Sequence, residues 1–351
     1  MSTDDDHRAG APDFAPPEWP PPVRADDRAW PPPQPVPAWG PPTVPWQPPP
    51  PPSPLPTTPT TYPHFWRTPG IAGWKPLLIA VLGGTAMLTI GTVIGLIAIA
   101  VEFAAVGDLD VLLVDPESLL ASPVIVFANS LSIALVLPVA IWVGVLSGQP
   151  HGYLSSVTGR FRWGFAWLAG AVALGLILVY VAVEAVGADL DLRVYPHSWW
   201  LLAGLMLVTP FQAAAEEYLF RGLLFRAVGS WMRTPASALI VGGVVNSVLF
   251  AAVHFSTDPW LILFYFVLGM LLSYVTWRTG GLEAAVAIHV ANNMVGLALV
   301  PFQDLGTAMD RSAGVGNPII LLQFAVTAVA VAIIVGLARH RDLARTGPAA
   351  G

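Results

Sequence analysis

From Pro76 onward the chain is a succession of apolar runs, each close to the ~20 residues that a helix needs to cross a bilayer. Eight follow one another, at about 77–101, 124–146, 165–186, 198–220, 236–254, 260–277, 282–301 and 318–338. Such a series points to an all-α polytopic membrane protein of about eight transmembrane helices enclosing an intramembrane cavity. Trp74, Trp163, Trp199, Trp200, Trp260 and Trp277 stand near run ends as interfacial anchors. In the fourth run the apolar pattern continues through Arg226 to Trp231, with Pro210 as a candidate kink. Charge is scarce: 11% of the 351 residues are charged and 55% are hydrophobic, against roughly 25% charged in a soluble domain. A chain so poor in charge could not cover its surface in water. The absence of cysteine excludes a disulfide framework, an iron–sulfur protein, a cysteine protease and a thiolate zinc site. A net charge of −6 leaves no nucleic-acid footprint.

The first 65 or so residues obey different physics. They hold most of the 36 prolines, an Asp4–Asp6 run, and Trp19-Pro20, Trp30-Pro31 and Trp39-Gly40. Without backbone donors such a stretch builds no packed core, so residues 1–70 read as a disordered Pro/Trp-rich tail of polyproline II character. Its Trp-Pro repeats could dock a partner's aromatic groove, or the tail could simply be solvated. Orientation follows from the basic residues. Arg67, Lys75, Arg160, Arg162, Arg221, Arg226, Arg233, Arg278, Arg339, Arg341 and Arg345 fall on one side of the spans, and Arg193 and Arg311 on the other. The alternate loops carry Asp108, Asp110, Asp115, Glu117, Asp189, Asp191, Asp258, Asp304 and Asp310. The positive-inside rule places both termini in the cytoplasm, as an even span count does. Lys75 is the one lysine among sixteen basic residues. With abundant Ala, Val, Pro and Trp, that points to a GC-rich bacterial genome and hence to a bacterial plasma membrane.

An ionisable group inside an apolar run is costly and therefore a functional candidate. Glu216 and Glu217 are the acids well inside a run, and His254 and His289 the embedded histidines. Glu217 and Arg221, four apart, share a helix face and can pair. Glu216, rotated by about 100°, faces elsewhere. A carboxylate left alone in a low-dielectric site is the kind of base that water activation near neutrality requires. Asn246, Phe250 and His254 share one face, and His289 and Asn293 another. Taken singly, each cluster reads equally as structural: a Glu–Arg clip, or a satisfied histidine near a helix end.

Together, Glu216-Glu217-x-x-x-Arg221, Phe250-x-x-x-His254 and His289-x-x-x-Asn293 lie in order on three helices. This trio resembles the CPBP family of intramembrane glutamic endopeptidases, which includes the type II CAAX prenyl proteases and the lysostaphin-resistance-protein-A-like proteins. The resemblance spans about residues 198–300. It implies that Glu216 and His254 activate water, that His289 and Asn293 stabilise the oxyanion, and that Glu217, Arg221 and Phe250 support the site. No cofactor is implied. The substrate would be a membrane-embedded or lipid-modified peptide or protein, reached from the bilayer or the cytoplasm. The chain then divides into the tail (1–70), a three-helix scaffold (71–197), a CPBP-like core (198–300) and a last helix with a basic cytoplasmic end (301–351).

Two readings compete with a glutamate protease. A glutamate and two histidines also suit zinc, though no His-Glu-x-x-His helix is present. Embedded Glu and His also serve transporters, and a non-enzymatic immunity factor is a further alternative; no inverted repeat is apparent. Depth raises a difficulty for the catalytic reading. Counted from Pro235, His254 lies ~28 Å along its span, and His289, counted from Gly281, only ~12 Å. The two meet only if span five is tilted, begins with a surface turn, or has different boundaries.

Overall fold

The computed structural model describes residue 34 and residues 51–106, 121–187 and 192–347. The chain divides after Pro50, and the unit Pro51–Gly351 carries the fold. The Trp-Pro repeats of the tail and the loop acids Asp108, Asp110, Asp115, Glu117, Asp189 and Asp191 lie outside the described residues.

Among the described residues of the unit, eight long apolar helices stand: α1 (Lys75–Val106), α2 (Pro123–Val145), α3 (Trp163–Gly187), α4 (Ser198–Trp231), α5 (Pro235–Ala252), α6 (Pro259–Thr279), α7 (Glu283–Leu299) and α8 (Ile320–His340). All are long and apolar enough to cross a membrane. Three begin on a Ser/Thr/Asp-Pro pair. Ser122, Thr234 and Asp258 cap free backbone N–H groups while the following proline starts the helix where no donor is missed. Gly280, at φ 69°, ends α6 in the left-handed conformation that a glycine adopts without strain. The rows of exposed Leu, Val and Ile on α1, such as Leu88 and Leu96, are what a lipid-facing surface requires.

α4 buries the largest share of its span and α1 the smallest. It packs against α2, α5 and α7, while α3 and α6 close the bundle around α7 and α8. The apolar pattern through Trp231 is one continuous helix, with a π-helical stretch at Tyr218–Leu224 immediately after the two glutamates. Such wide turns are frequent at functional positions. Arg221 and Arg226 project from this stretch and the turn beyond it into the core and are fully buried. Neither is a loop charge, so the basic asymmetry rests on nine residues against two.

Residues 51–70, grouped with the tail by their prolines, are packed against the bundle. Tyr62, Phe65 and Trp66 are buried and surround the Arg226 guanidinium at 4.7, 5.3 and 4.9 Å. Arg226 also donates to the Tyr153 carbonyl at 3.0 Å and to Gln149 Oε1 at 3.4 Å. Burial pushes the Tyr62 hydroxyl well above the ordinary phenol range, which keeps it a donor to the Leu154 carbonyl. Three rings and one cation outweigh the proline content of this segment. Thr60–Thr61 then pairs antiparallel with Thr346–Gly347, which is compatible with an even number of crossings.

Trp66→Ala removes a buried ring and opens the arginine's cage. It is expected to cost about 3–5 kcal/mol, read as a lower thermal midpoint in detergent. Faster proteolysis between residues 51 and 66 should accompany it. A wild-type cleavage rate there would show that the cage does not hold the segment.

A second polar lock joins the starts of α3 and α7. Arg162 Nε and Nη2 reach the two oxygens of Glu283 at 2.7 and 2.6 Å, and the Arg162 backbone N–H donates to Oε1 at 3.0 Å. Arg162 also donates to the carbonyls of Thr279 and Ala344. This bidentate pair ties the α6–α7 turn to α3 and to the chain's C-terminal stretch.

Candidate active site

α4, α5, α6 and α7 bring the polar side chains together. Glu217 is wholly buried, and its Oε1 accepts from Arg221 Nη1 at 2.9 Å and from His289 Nδ1 at 2.7 Å. The other ring nitrogen of His289 lies 3.3 Å from Glu216 Oε2. The two glutamates do diverge on the helix, as adjacent residues must, but Glu216 does not turn away. The His289 ring enters between them and meets one carboxylate with each nitrogen.

Glu216 is 5% exposed. Its Oε1 accepts from Gln212 Nε2 at 2.7 Å, one turn earlier on α4. Its Oε2 has no hydrogen-bond partner among the described residues; the contact with His289 is close but not aligned for one. The carboxylate is therefore oriented through one oxygen and open at the other.

Phe250 is the hub of the site. Its buried ring meets His254 at 4.8 Å, His289 at 5.8 Å, Phe220 at 5.2 Å and the Arg221 guanidinium at 4.6 Å. Arg221 also reaches the Gly269 carbonyl at 3.3 Å, an acceptor shared with Ser273, which in turn accepts from Asn246. Gly269 lies so close to Ser247 that a Cβ would meet its side chain at 2.7 Å. The missing side chain lets α6 approach α5 closely and brings that carbonyl to the arginine.

His254 and His289, which backbone rise along straight spans would keep apart, both meet the Phe250 ring. α5 ends at Ala252, and His254 sits in the turn beyond it, before Phe255 in the left-handed region at φ 49°. The imidazole folds back along α5, and its Nδ1 lies 2.6 Å from the Phe250 carbonyl. Both histidines thus reach one phenylalanine. A carbonyl only accepts, so Nδ1 of His254 carries the proton and Nε2 is the basic atom of the neutral ring. Tyr265 of α6 stacks on this ring at 3.7 Å and fixes its plane.

Asn293 donates to Gln212 Oε1 at 3.1 Å, so it touches Glu216 through Gln212. Gln212, Tyr265, Asn292 and Gln323 do not stand out in the sequence, because an amide or a phenol costs less to bury than a charge. Gln212 had a signal: an amide inside an apolar run, four residues before Glu216 and on its face. Among the described residues no three His, Asp or Glu side chains are arranged to hold a metal ion, and both nitrogens of His289 already meet carboxylates. The geometry gives the zinc reading no support.

Comparison with known proteins agrees with the motif order. Residues 197–295 match the family model described as type II CAAX prenyl endopeptidase Rce1-like. The chain is 28% identical over 198 residues to the uncharacterized protein YyaK of Bacillus subtilis (strain 168), covering 51% of this chain and 62% of that protein. It is 34% identical over 155 residues to an uncharacterized 24.3 kDa protein of Escherichia coli, covering 40% of this chain and 67% of that protein. No solved structure matches the chain. With the ordered motifs, eight spans and the matched segment in agreement, the chain belongs to the Rce1-like type II CAAX prenyl endopeptidase (CPBP) family, a family of proteases.

Proposed function

We propose that the protein is an intramembrane endopeptidase that hydrolyses a peptide bond of a membrane-embedded or lipid-modified peptide with water activated by Glu216 and His254. The observation that carries this reading is the asymmetry of the Glu216 carboxylate, anchored at Oε1 by Gln212 and without a hydrogen-bond partner at Oε2. A carboxylate held in this way, away from bulk water, is a preorganised general base.

In the proposed reaction, water passes a proton to Glu216 as its oxygen bonds to the substrate's carbonyl carbon, with His254 Nε2 orienting it. The carbonyl π electrons move onto oxygen. The second N–H of the Asn293 amide supplies a donor for that oxyanion, and His289, whose Nδ1 is given to Glu217, adds one from Nε2 when its ring is protonated. When the carbonyl re-forms, the C–N bond breaks and the proton on Glu216 goes to the leaving nitrogen. One water is consumed per bond and the base is restored. Glu217 and Arg221 hold α4 and the His289 ring in place. The basic asymmetry supports a bacterial plasma-membrane protein with both termini cytoplasmic, which would let substrate enter from the bilayer or the cytoplasm.

The test is hydrolysis of quenched peptides by the purified full chain in liposomes. One peptide is inserted in the membrane and one is prenylated at a C-terminal CAAX box, each with and without a zinc chelator. Cleavage that survives chelation supports the mechanism, and the preferred peptide identifies the substrate class. Chelator-sensitive cleavage restored by zinc, or no cleavage of either peptide by folded protein, would overturn it.

A further inference from the structure

The site is joined to the last helix by a line of side-chain amides. Gln323 Nε2, on α8, donates to Asn292 Oδ1 at 3.0 Å. Asn292 Nδ2 donates to Asn293 Oδ1 at 3.1 Å, Asn293 Nδ2 to Gln212 Oε1 at 3.1 Å, and Gln212 Nε2 to Glu216 Oε1 at 2.7 Å. Every link runs in the same direction, and an ionised carboxylate forces it. Because Glu216 can only accept, Gln212 must turn its N–H toward Glu216 and its carbonyl toward Asn293. Asn293 must then present N–H to Gln212 and carbonyl to Asn292, and the same requirement passes to Gln323.

Aligned amides polarise one another, so each donor strengthens the next. The terminal bond, from Gln212 to a carboxylate, is charge-assisted and the shortest of the four. Glu216 therefore receives on Oε1 the summed effect of four amides drawn from α4, α7 and α8. Oε2, at which no described residue forms a hydrogen bond, is left as the basic atom.

We infer that Gln323, Asn292, Asn293 and Gln212 form a unidirectional amide relay that positions the Glu216 carboxylate, with Gln212 its direct and Gln323 its remote positioning residue. The relay makes α8, outside the three motif-bearing helices, part of the site's architecture. The functional meaning rests on the proposed hydrolase reading, but the relay itself does not.

The infrared carboxylate bands of Glu216, identified as those lost in Glu216→Gln, report its hydrogen bonding without any turnover. They are measured on the full chain for wild type, Gln212→Leu, Gln323→Leu and Gln323→Glu. The last variant keeps the shape of the side chain but has no N–H to give when ionised. The relay predicts a clear band shift for Gln212→Leu and a smaller one in the same direction for both Gln323 variants. In the peptide assay it predicts kcat lower by about 10-fold or more for Gln212→Leu and by about 2- to 5-fold for Gln323→Leu, with KM unchanged. Folded Gln323 variants whose Glu216 bands coincide with wild type would overturn the relay, as would a KM effect without a kcat effect. Band shifts in a protein that cleaves no peptide would leave the relay standing and sink the hydrolase reading.

Discussion

Glu216→Gln is expected to abolish peptide hydrolysis to within a small residue, by on the order of 10² to 10⁴ in kcat, with little change in stability. The substitution is nearly isosteric, and its side-chain oxygen can still accept from Gln212, so the α4 contacts at Oε1 survive. What disappears is the basic oxygen that lies 3.3 Å from His289 and has no hydrogen-bond partner among the described residues. An amide at that position cannot take the proton of water, and although Glu217 Oε2 is also without a hydrogen-bond partner among the described residues, that carboxylate is charge-paired. Glu217 is committed through Oε1 to Arg221 and to His289. His254→Ala should fall in the same range but for a different reason. It keeps the proposed base and removes the imidazole proposed to orient water, together with the ring on which Tyr265 stacks. Both are read as single-turnover rates on the membrane-inserted peptide, beside the thermal midpoint of each variant. A Glu216→Gln protein that hydrolyses at wild-type rate would remove Glu216 from the mechanism whatever the stability.

The architecture was legible because apolar runs of bilayer length have few alternatives, and because Ser122-Pro123, Thr234-Pro235 and Asp258-Pro259 mark helix starts through local chemistry. Glu216, Glu217, His254 and His289 stood out through the cost of burying ionisable groups. Features made by tertiary packing were not legible. The amide relay links residues up to 81 positions apart, and nothing local in Gln323 says that it faces Asn292. The insertion of His289 between two carboxylates depends on where α7 meets α4, which no helical wheel of α4 contains. Counting backbone rise along straight spans sets His254 and His289 apart, whereas tertiary packing puts both against the Phe250 ring. The Tyr62-Pro63-His64-Phe65-Trp66 segment was hidden by the prolines before it. Its partner, Arg226, reads in the sequence as a loop charge because a lone arginine at a span end usually is one.

Arg221→Ala should separate stability from chemistry in the opposite sense. Arg221 and Glu217 are both wholly buried and paired at 2.9 Å, and the guanidinium also spans the Gly269 carbonyl and the Phe250 face. Removing one partner of such a pair leaves the other as an unpaired charge in a medium that cannot solvate it, at a cost of about 3–5 kcal/mol. That is a large part of the about 5–15 kcal/mol by which native proteins are stable, so the expected result is a loss of folded, monodisperse yield and a lower thermal midpoint. The fraction that does fold should hydrolyse peptide faster than Glu216→Gln, because Glu216 and Gln212 remain in place. A double variant, Arg221→Met with Glu217→Gln, discharges both members while keeping an acceptor for His289 Nδ1. It should be more stable than Arg221→Ala, since the penalty comes from the stranded carboxylate and not from the loss of attraction as such. If the double variant is instead the less stable of the two, the pair is held by packing of the arginine stem on Phe250, and the charge argument for this corner of the site fails. If Arg221→Ala matches wild type in yield and midpoint, Glu217 is already sufficiently served by His289, and the clip is redundant.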